Sequence, residues 1–555
     1  MKHIIKIAFF STLIMSLGCS KFGDNILDEQ PPHIITAVTL YKSYDGFNAG
    51  VNGLYSLIRD TKKGENDYMG ANLVNGTDNI ATNYVYLGFE HIAETWGNIN
   101  NPTHGQYIRQ FTLLYRIINT ANTIITRAED EDVNWVGGSR GAEENKNYVV
   151  AEARAIRAWA YRHLTYGWGD VPLNIEESAG SNIKTDWERA PAGEVKQMII
   201  DDLEFAEQHI PVEPEYSSRL TKGAVQTYLA EMYLAVNNPE RALFWADQAI
   251  SSPAYRLVTA RYGVRQNEPG VPFMDMFKAG NENRADGNSE ALWVWQFGIN
   301  VVGGSSHSSI FFHVGRYWNI QVDGITPLQL TAERGGRGVA RMSFTKFALD
   351  LYEPSDDRGS DHAIRKYFVL KSASENAPYA ADRLPAGYSY GDTIHLDWSG
   401  DLTPTTKFDP KWPFSRKFDD GHNPNNLADG ASYNSLPILR LAETYLLKAE
   451  AQLLLGDLPG AAETINVVRR RSNASDIDAS QVTLDFILDE RSRELILEED
   501  RRWTLLRTQK WLERTRLHNK NGGQLITERD LLFPIPQGVI DANLTKEMPQ
   551  NPGYN

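Results

Sequence analysis

The chain has a single cysteine, Cys19, in 555 residues. No internal disulfide can brace the fold, and in an oxidising compartment that lone thiol is either a liability or a chemical handle. No apolar run reaches the roughly 20 residues that a membrane-spanning helix requires. No block of lysines and arginines stands clear of acidic neighbours, and the formal net charge is -15. Both features count against a nucleic-acid partner. An HExxH run and cysteine-histidine zinc spacing are missing too, and the 12 histidines are scattered, so neither a metal site nor a cofactor is called.

What is present begins at the first residues. A cationic start (Lys2, Lys6) leads into an apolar stretch through Phe9, Phe10, Leu13, Ile14 and Met15, and then into Leu17-Gly18-Cys19. This is the layout of a secretory signal. Because it ends on the only cysteine, it resembles the lipobox of a bacterial lipoprotein, which implies cleavage before Cys19 and acylation of its sulfur and amine. One acyl chain anchors only marginally, so stable attachment calls for two or more. Residues 1–18 are therefore read as signal, and 19–32, polar and closed by Pro31-Pro32, as lipid anchor and tether.

Periodicity organises the rest. Ala153, Ile156, Ala160 and Leu164 form one face of a helix from Ala151 to Tyr166, stopped by Gly167 and Gly169. From Lys222 to Ile250 two apolar stripes are broken at Asn237-Asn238-Pro239, which predicts an antiparallel helix pair. Leu229, Ala230, Tyr233, Ala242 and Ala249 fall at the small and aromatic positions of a tetratricopeptide unit. A second unit is expected from about Ser435 to Leu455 and Leu458 to Arg470, with degenerate copies at Ala151 to Tyr166 and around Asn119 to Asn122. Between these blocks, over 256–433, Gly, Pro, Asn, Asp and Ser become frequent and short helices such as Thr345 to Tyr352 interrupt. The fold class expected is mainly α, a tetratricopeptide-like scaffold with a loop-rich insert containing short strands. Loops of such length in a compact protein are usually functional. The divisions are 33–255 and 434–555 for the helical regions and 256–433 for the insert.

The order and spacing of several short motifs resemble the SusD/RagB family of nutrient-binding lipoproteins over nearly the whole mature length. They are Ala151-Glu-Ala-Arg154 with Arg157-Ala158; Gly169-Asp170-Val171-Pro172-Leu173; Asp201-Asp202-Leu203; Thr221-Lys222-Gly223-Ala224; and Leu439-Arg440-Leu441-Ala442-Glu443 with Ala449-Glu450-Ala451. Then follow Glu490-Arg491 with Glu494-Leu495, Arg502-Trp503, Pro534-Ile535-Pro536 and Gln550-Asn551-Pro552-Gly553-Tyr554. One departure is Leu505, where the family usually has aspartate. The resemblance implies a helical SusD-like scaffold, a lipid anchor in the outer membrane facing outward, and a lid role over a TonB-dependent, SusC-like transporter to which a captured glycan is delivered. A peptide ligand on the same architecture stays open, as does a surface glycoside hydrolase.

Three stretches carry chemical signatures. Gly137-Gly138-Ser139-Arg140-Gly141 matches a serine-hydrolase elbow, but that motif needs a preceding strand and here lies in a polar run between helices. A glycosidase needs two carboxyls at about 5 to 10 Å; Glu490, Glu494 and Glu498 share a helical face, yet Arg491 and Arg502 nearby favour ion pairing. The oxygen-rich run Asp419 to Asp429 departs from an EF-hand loop and leaves structural calcium as a minor alternative.

A glycan site needs flat rings flanked by amides, carboxylates and guanidinium groups, because sugars offer both C–H faces and polar edges. Two stretches combine these: Asp78-Asn79 through Tyr84 to Trp96 and Asn98, and Phe311-Phe312 through Arg316, Tyr317, Trp318 and Asn319. In the family the site is usually built from these same two regions. The ligand-binding residues expected are Asp78, Asn79, Trp96, Asn98, Arg316, Tyr317, Trp318 and Asn319; Trp168, Trp293 and Trp503 are expected in the core.

Overall fold

A computed structural model describes residues 36–63, 73–83, 90–97, 99–373, 380–402 and 409–554. The expected signal, Cys19 anchor and tether lie outside the described residues, as do Tyr84 and Asn98.

The scaffold is a succession of packed helices: α1 (Tyr44–Arg59), α2 (Gly105–Arg127), α3 (Ala142–Trp168), α4 (Ala192–His209), α5 (Lys222–Ala235) and α6 (Pro239–Ser251). After the insert come α7 (Leu441–Leu454), α8 (Leu458–Arg471), α9 (Leu484–Leu495), α10 (Arg501–Arg507) and α11 (Trp511–His518). Consecutive helices pack in pairs, α2 on α3, α3 on α4, α5 on α6 and α7 on α8. The spine is therefore a row of antiparallel hairpins, as the sequence predicts. Helix α3 is its axis. It is buried over most of its length, and Ala151, Ala153, Ala155, Ala158 and Ala160 let neighbouring backbones approach from several sides.

Both tetratricopeptide-like hairpins turn by the same devices. Asn237 and Gly456 take positive φ (56° and 79°), and Asn238 and Asp457 cap the second helix by accepting from the backbone N–H of Arg241 and Gly460. Pro239 and Pro459 occupy the first turn, where no helical N–H is needed. Although some 190 residues separate them in sequence, the two hairpins are spatial neighbours through α6 and α7. An Asp247–Lys448 ion pair at 2.7 Å and a Thr227–Thr444 hydroxyl contact at 2.7 Å tie them together.

One boundary differs from expectation. Leu436–Arg440 is a strand, antiparallel to Ala291–Trp295, and α7 starts only at Leu441. Pro437 cannot donate to a helical ladder and here sits at a register shift opposite Val294. The pairing closes the root of the insert, holding an early strand of the 256–433 segment against the strand that follows it. Two further two-stranded pairings lie within the insert, Ile364–Arg365 with Phe414–Ser415 and Tyr367–Val369 with Thr393–His395, and a third, Ile80–Thr82 with Met342–Phe344, joins the N-terminal region to it. The short helix expected at Thr345 is Lys346–Asp350, with Thr345 capping it.

A buried ionic lattice fastens the insert to the spine. Glu494 and Glu490 of α9 face Arg358 of the insert, at 3.1 and 2.8 Å. Glu494 also meets Arg440 (3.1 Å) and Arg471 of α8, and Glu290, just before the insert's root strand, meets the same two arginines. Glu498 joins Arg440 and Lys417. The side chains of Arg358, Arg471, Glu290, Glu490 and Glu494 are wholly inaccessible. Each charge is matched several times over, which is the condition under which buried ions are tolerated. Glu498 does not continue the helical face of Glu490 and Glu494 as expected: α9 ends at Leu495 and Leu497 takes a positive φ of 67°.

Candidate ligand surface

The two predicted stretches part company in the structure. Asp78 is fully buried and forms salt bridges to Arg501 (2.6 Å) and Arg514 (2.8 Å). Burial alone would raise its pKa, but the two guanidinium groups overcome this and hold it well below the usual carboxylate range. Asn79 is 2% exposed, and its backbone carbonyl accepts from Thr345 N–H. Trp96 is 5% exposed, edge-on to Trp511 at 5.9 Å and beneath Arg502 at 5.8 Å. These three are core residues in this structure, which corrects their expected place on an exposed ligand platform. The arginines that draw Asp78 inward lie more than 400 residues away, beyond the reach of a local pattern. Trp168, Trp293 and Trp503 are each 1% exposed, in the core as expected.

The second stretch reaches the surface. A short turn of 3-10 helix at Tyr317–Asn319 leads its side chains from the interior out to solvent. Tyr317 is fully buried, its hydroxyl donating to the Thr331 carbonyl at 3.1 Å, so it anchors the turn and does not face solvent as expected of a ligand contact. Trp318 is half-buried and Asn319 exposed. The Trp318 indole N–H donates to the Gly338 carbonyl at 3.2 Å, and the Arg316 guanidinium lies 4.6 Å from its ring centroid. Both contacts fix the ring's orientation. Gly338 is needed there: a Cβ would fall 2.1 Å from the Val314 carbonyl oxygen. Beneath the turn lies the insert's own apolar cluster, including Ile310, Val314, Phe368 and Phe414. Tyr388 is half-buried on this cluster too; sequence reading missed it because nothing periodic marks its loop.

The remaining signatures have structural roles. Ser139 lies in the turn before α3, where Asn145 Nδ2 donates to the Gly137 carbonyl at 2.9 Å. Glu490 and Glu494 are locked in the ionic lattice, and Glu498 is 7% exposed and doubly paired. Asp419 is enclosed by Lys278, Arg365 and Arg416, and Asp429 accepts from Asn423 and Tyr433. Among the described residues no helix is long and apolar enough to cross a membrane.

Comparison with known proteins gives the same answer from both ends of the chain. A family model described as the SusD family matches residues 317–554, and one described as starch-binding associating with outer membrane matches residues 27–234. SusD-like protein P2 of Formosa agariphila is 26% identical over 581 aligned positions, covering 99% of each chain. Starch-binding protein SusD of Bacteroides thetaiotaomicron is 30% identical over 212 residues, 37% of this chain and 36% of that one. Among solved structures, a laminarin binding SusD-like protein superposes with a TM-score of 0.68 at 21% identity, covering 93% of this chain and all of the other. Surface glycan-binding protein A from Bacteroides thetaiotaomicron, in complex with laminarihexaose, gives 0.66 at 20% identity, covering 92% and 99%. With the two family models together spanning residues 27–234 and 317–554 and a SusD-like relative aligned over 99% of the chain, the chain belongs to the SusD/RagB family.

Proposed function

We propose that this protein is a lipid-anchored, outward-facing outer-membrane lipoprotein that captures an oligosaccharide or polysaccharide and hands it to a TonB-dependent, SusC-like transporter, without covalent chemistry of its own. The observation that carries the reading is the surface at Arg316, Trp318 and Asn319. There an oriented, half-buried indole, a guanidinium stacked on it and an exposed amide offer the mixed apolar and polar face that a sugar ring requires. Glycan binding by the laminarin binding SusD-like protein and by surface glycan-binding protein A supports the same assignment. A single partly exposed ring contributes roughly 1–3 kcal/mol, which suits weak capture followed by release. Anchoring rests on Cys19.

The test is calorimetric titration with a panel of neutral and charged oligosaccharides, alongside an assay for new reducing ends. Saturable binding without new reducing ends is expected, and Trp318→Ala should abolish most of it while leaving the melting temperature in place. Normal binding by that variant would move the site elsewhere; accumulation of reducing ends would make the protein a hydrolase. For the anchor, Cys19→Ala should release the protein from carbonate-washed membranes. For the partner, isolation in mild detergent should recover a much larger barrel protein with it.

A further inference from the structure

A cleft of about 960 Å³ opens on the helical side, and among the described residues none of the insert lines it. That is near the upper end of the range for small-molecule sites, which are characteristically apolar with a few placed polar groups. Four half-buried leucines supply the apolar wall: Leu506 and Leu512, from α10 and α11, and Leu531 and Leu532, from the segment that follows. Across from this sequence block, α4 contributes Lys196 and the end of α5 contributes Ala235.

Lys196 is the unusual member. It is half-buried, its ammonium donates to the Ala235 carbonyl oxygen at 3.4 Å, and among the described residues no carboxylate lies in salt-bridge reach. The other cations of the cleft are already matched: Arg507 by Glu450 and Arg529 by Asp530, each at 2.9 Å. Glu528 stands exposed on the rim and makes no ion pair with Lys196. Burial lowers the Lys196 pKa, and no acid offsets it. A partly desolvated cation without a counter-ion is costly, and a ligand carboxylate would relieve that cost. The rings in the lining, Tyr166 and Trp511, are 6% and 1% exposed and offer no open face for a sugar.

We propose that this cleft binds an amphipathic carboxylate, its apolar body against the leucines and its carboxylate on Lys196. The site is independent of the glycan surface. The probe is sodium decanoate below its micellar concentration, titrated into the full-length protein by calorimetry. Saturable one-site binding is expected. Lys196→Met should weaken it about tenfold, Lys196→Arg should keep most of it, and decanol should bind worse than decanoate. Leu512→Ser should weaken it while the charge remains; the melting temperature of each variant separates lost binding from lost fold. Oligosaccharide binding should be unchanged in Lys196→Met. No saturable binding of decanoate, equal affinity in Lys196→Met, or equal affinity for decanol would each overturn the proposal.

Discussion

Glu494 offers the sharpest test of how insert and spine are held together. Its carboxylate is shared by Arg471, Arg440 and Arg358, one from α8, one from the strand at the insert's root and one from the insert itself. Burial would raise its pKa, but the three guanidinium groups overcome that and hold it well below the usual carboxylate range. Glu494→Gln keeps the shape and removes the charge, leaving three inaccessible arginines short of one anion. Removing one partner of such a group costs about 3–5 kcal/mol, a large part of the roughly 5–15 kcal/mol by which a domain is stable. Guanidinium chloride unfolding followed by tryptophan fluorescence and by circular dichroism should show a lower midpoint and an unfolding free energy reduced by that amount. The double variant Glu494→Gln/Arg471→Met removes one charge of each sign and should be less damaged than the two single losses added together. A loss under about 1 kcal/mol with additive effects would refute the lattice as a determinant of stability. The pH dependence has a fixed sign: a carboxyl depressed in the folded state stabilises above its unfolded pKa, near 4.5, and that contribution is lost as pH falls below it. The variant should therefore show a shallower loss of stability on acidification.

Glu282 is the opposite case. Burial first, then the charges of Asp286 and Asp420, push it up to about 7, so the folded state holds the proton more tightly than the unfolded chain. Its contribution falls as pH rises from about 4.5 to 7, by at most about 3 kcal/mol; in Glu282→Gln that slope should disappear from unfolding midpoints measured across this range. Trp96→Ala should cost about 3–5 kcal/mol of stability as a core truncation, whereas Trp318→Ala should leave the melting temperature nearly unchanged; the reverse pattern in thermal scans would exchange their assignments. Asp78→Asn should destabilise by a similar few kcal/mol, since it removes the buried carboxylate that Arg501 and Arg514 share and leaves them only Glu499, Asp485 and Asp489, and a stable Asp78→Asn protein with impaired glycan binding would restore Asp78 to the ligand site.

The sequence by itself determined the helix over Ala151–Tyr166, the two tetratricopeptide-like hairpins and their turns. These depend on interactions within a few residues: the stripe along α3, the left-handed Asn237 and Gly456, and the caps at Asn238 and Asp457. It also determined that Trp168, Trp293 and Trp503 lie in the core, although Trp293 sits on a strand. Which of two aromatic, amide-rich stretches faces solvent was decided only by tertiary structure. Asp78 and Trp96 look like a ligand platform until Arg501, Arg502, Trp511 and Arg514 fold over them from the far end of the chain. Leu436–Arg440 became a strand because Ala291–Trp295 was there to pair with it. The arginine lattice and the Lys196 cleft assemble from segments scattered across the chain, and such convergence leaves no periodic trace. Local physics writes itself into neighbouring residues, whereas the burial of a charge depends on which distant partner arrives to neutralise it.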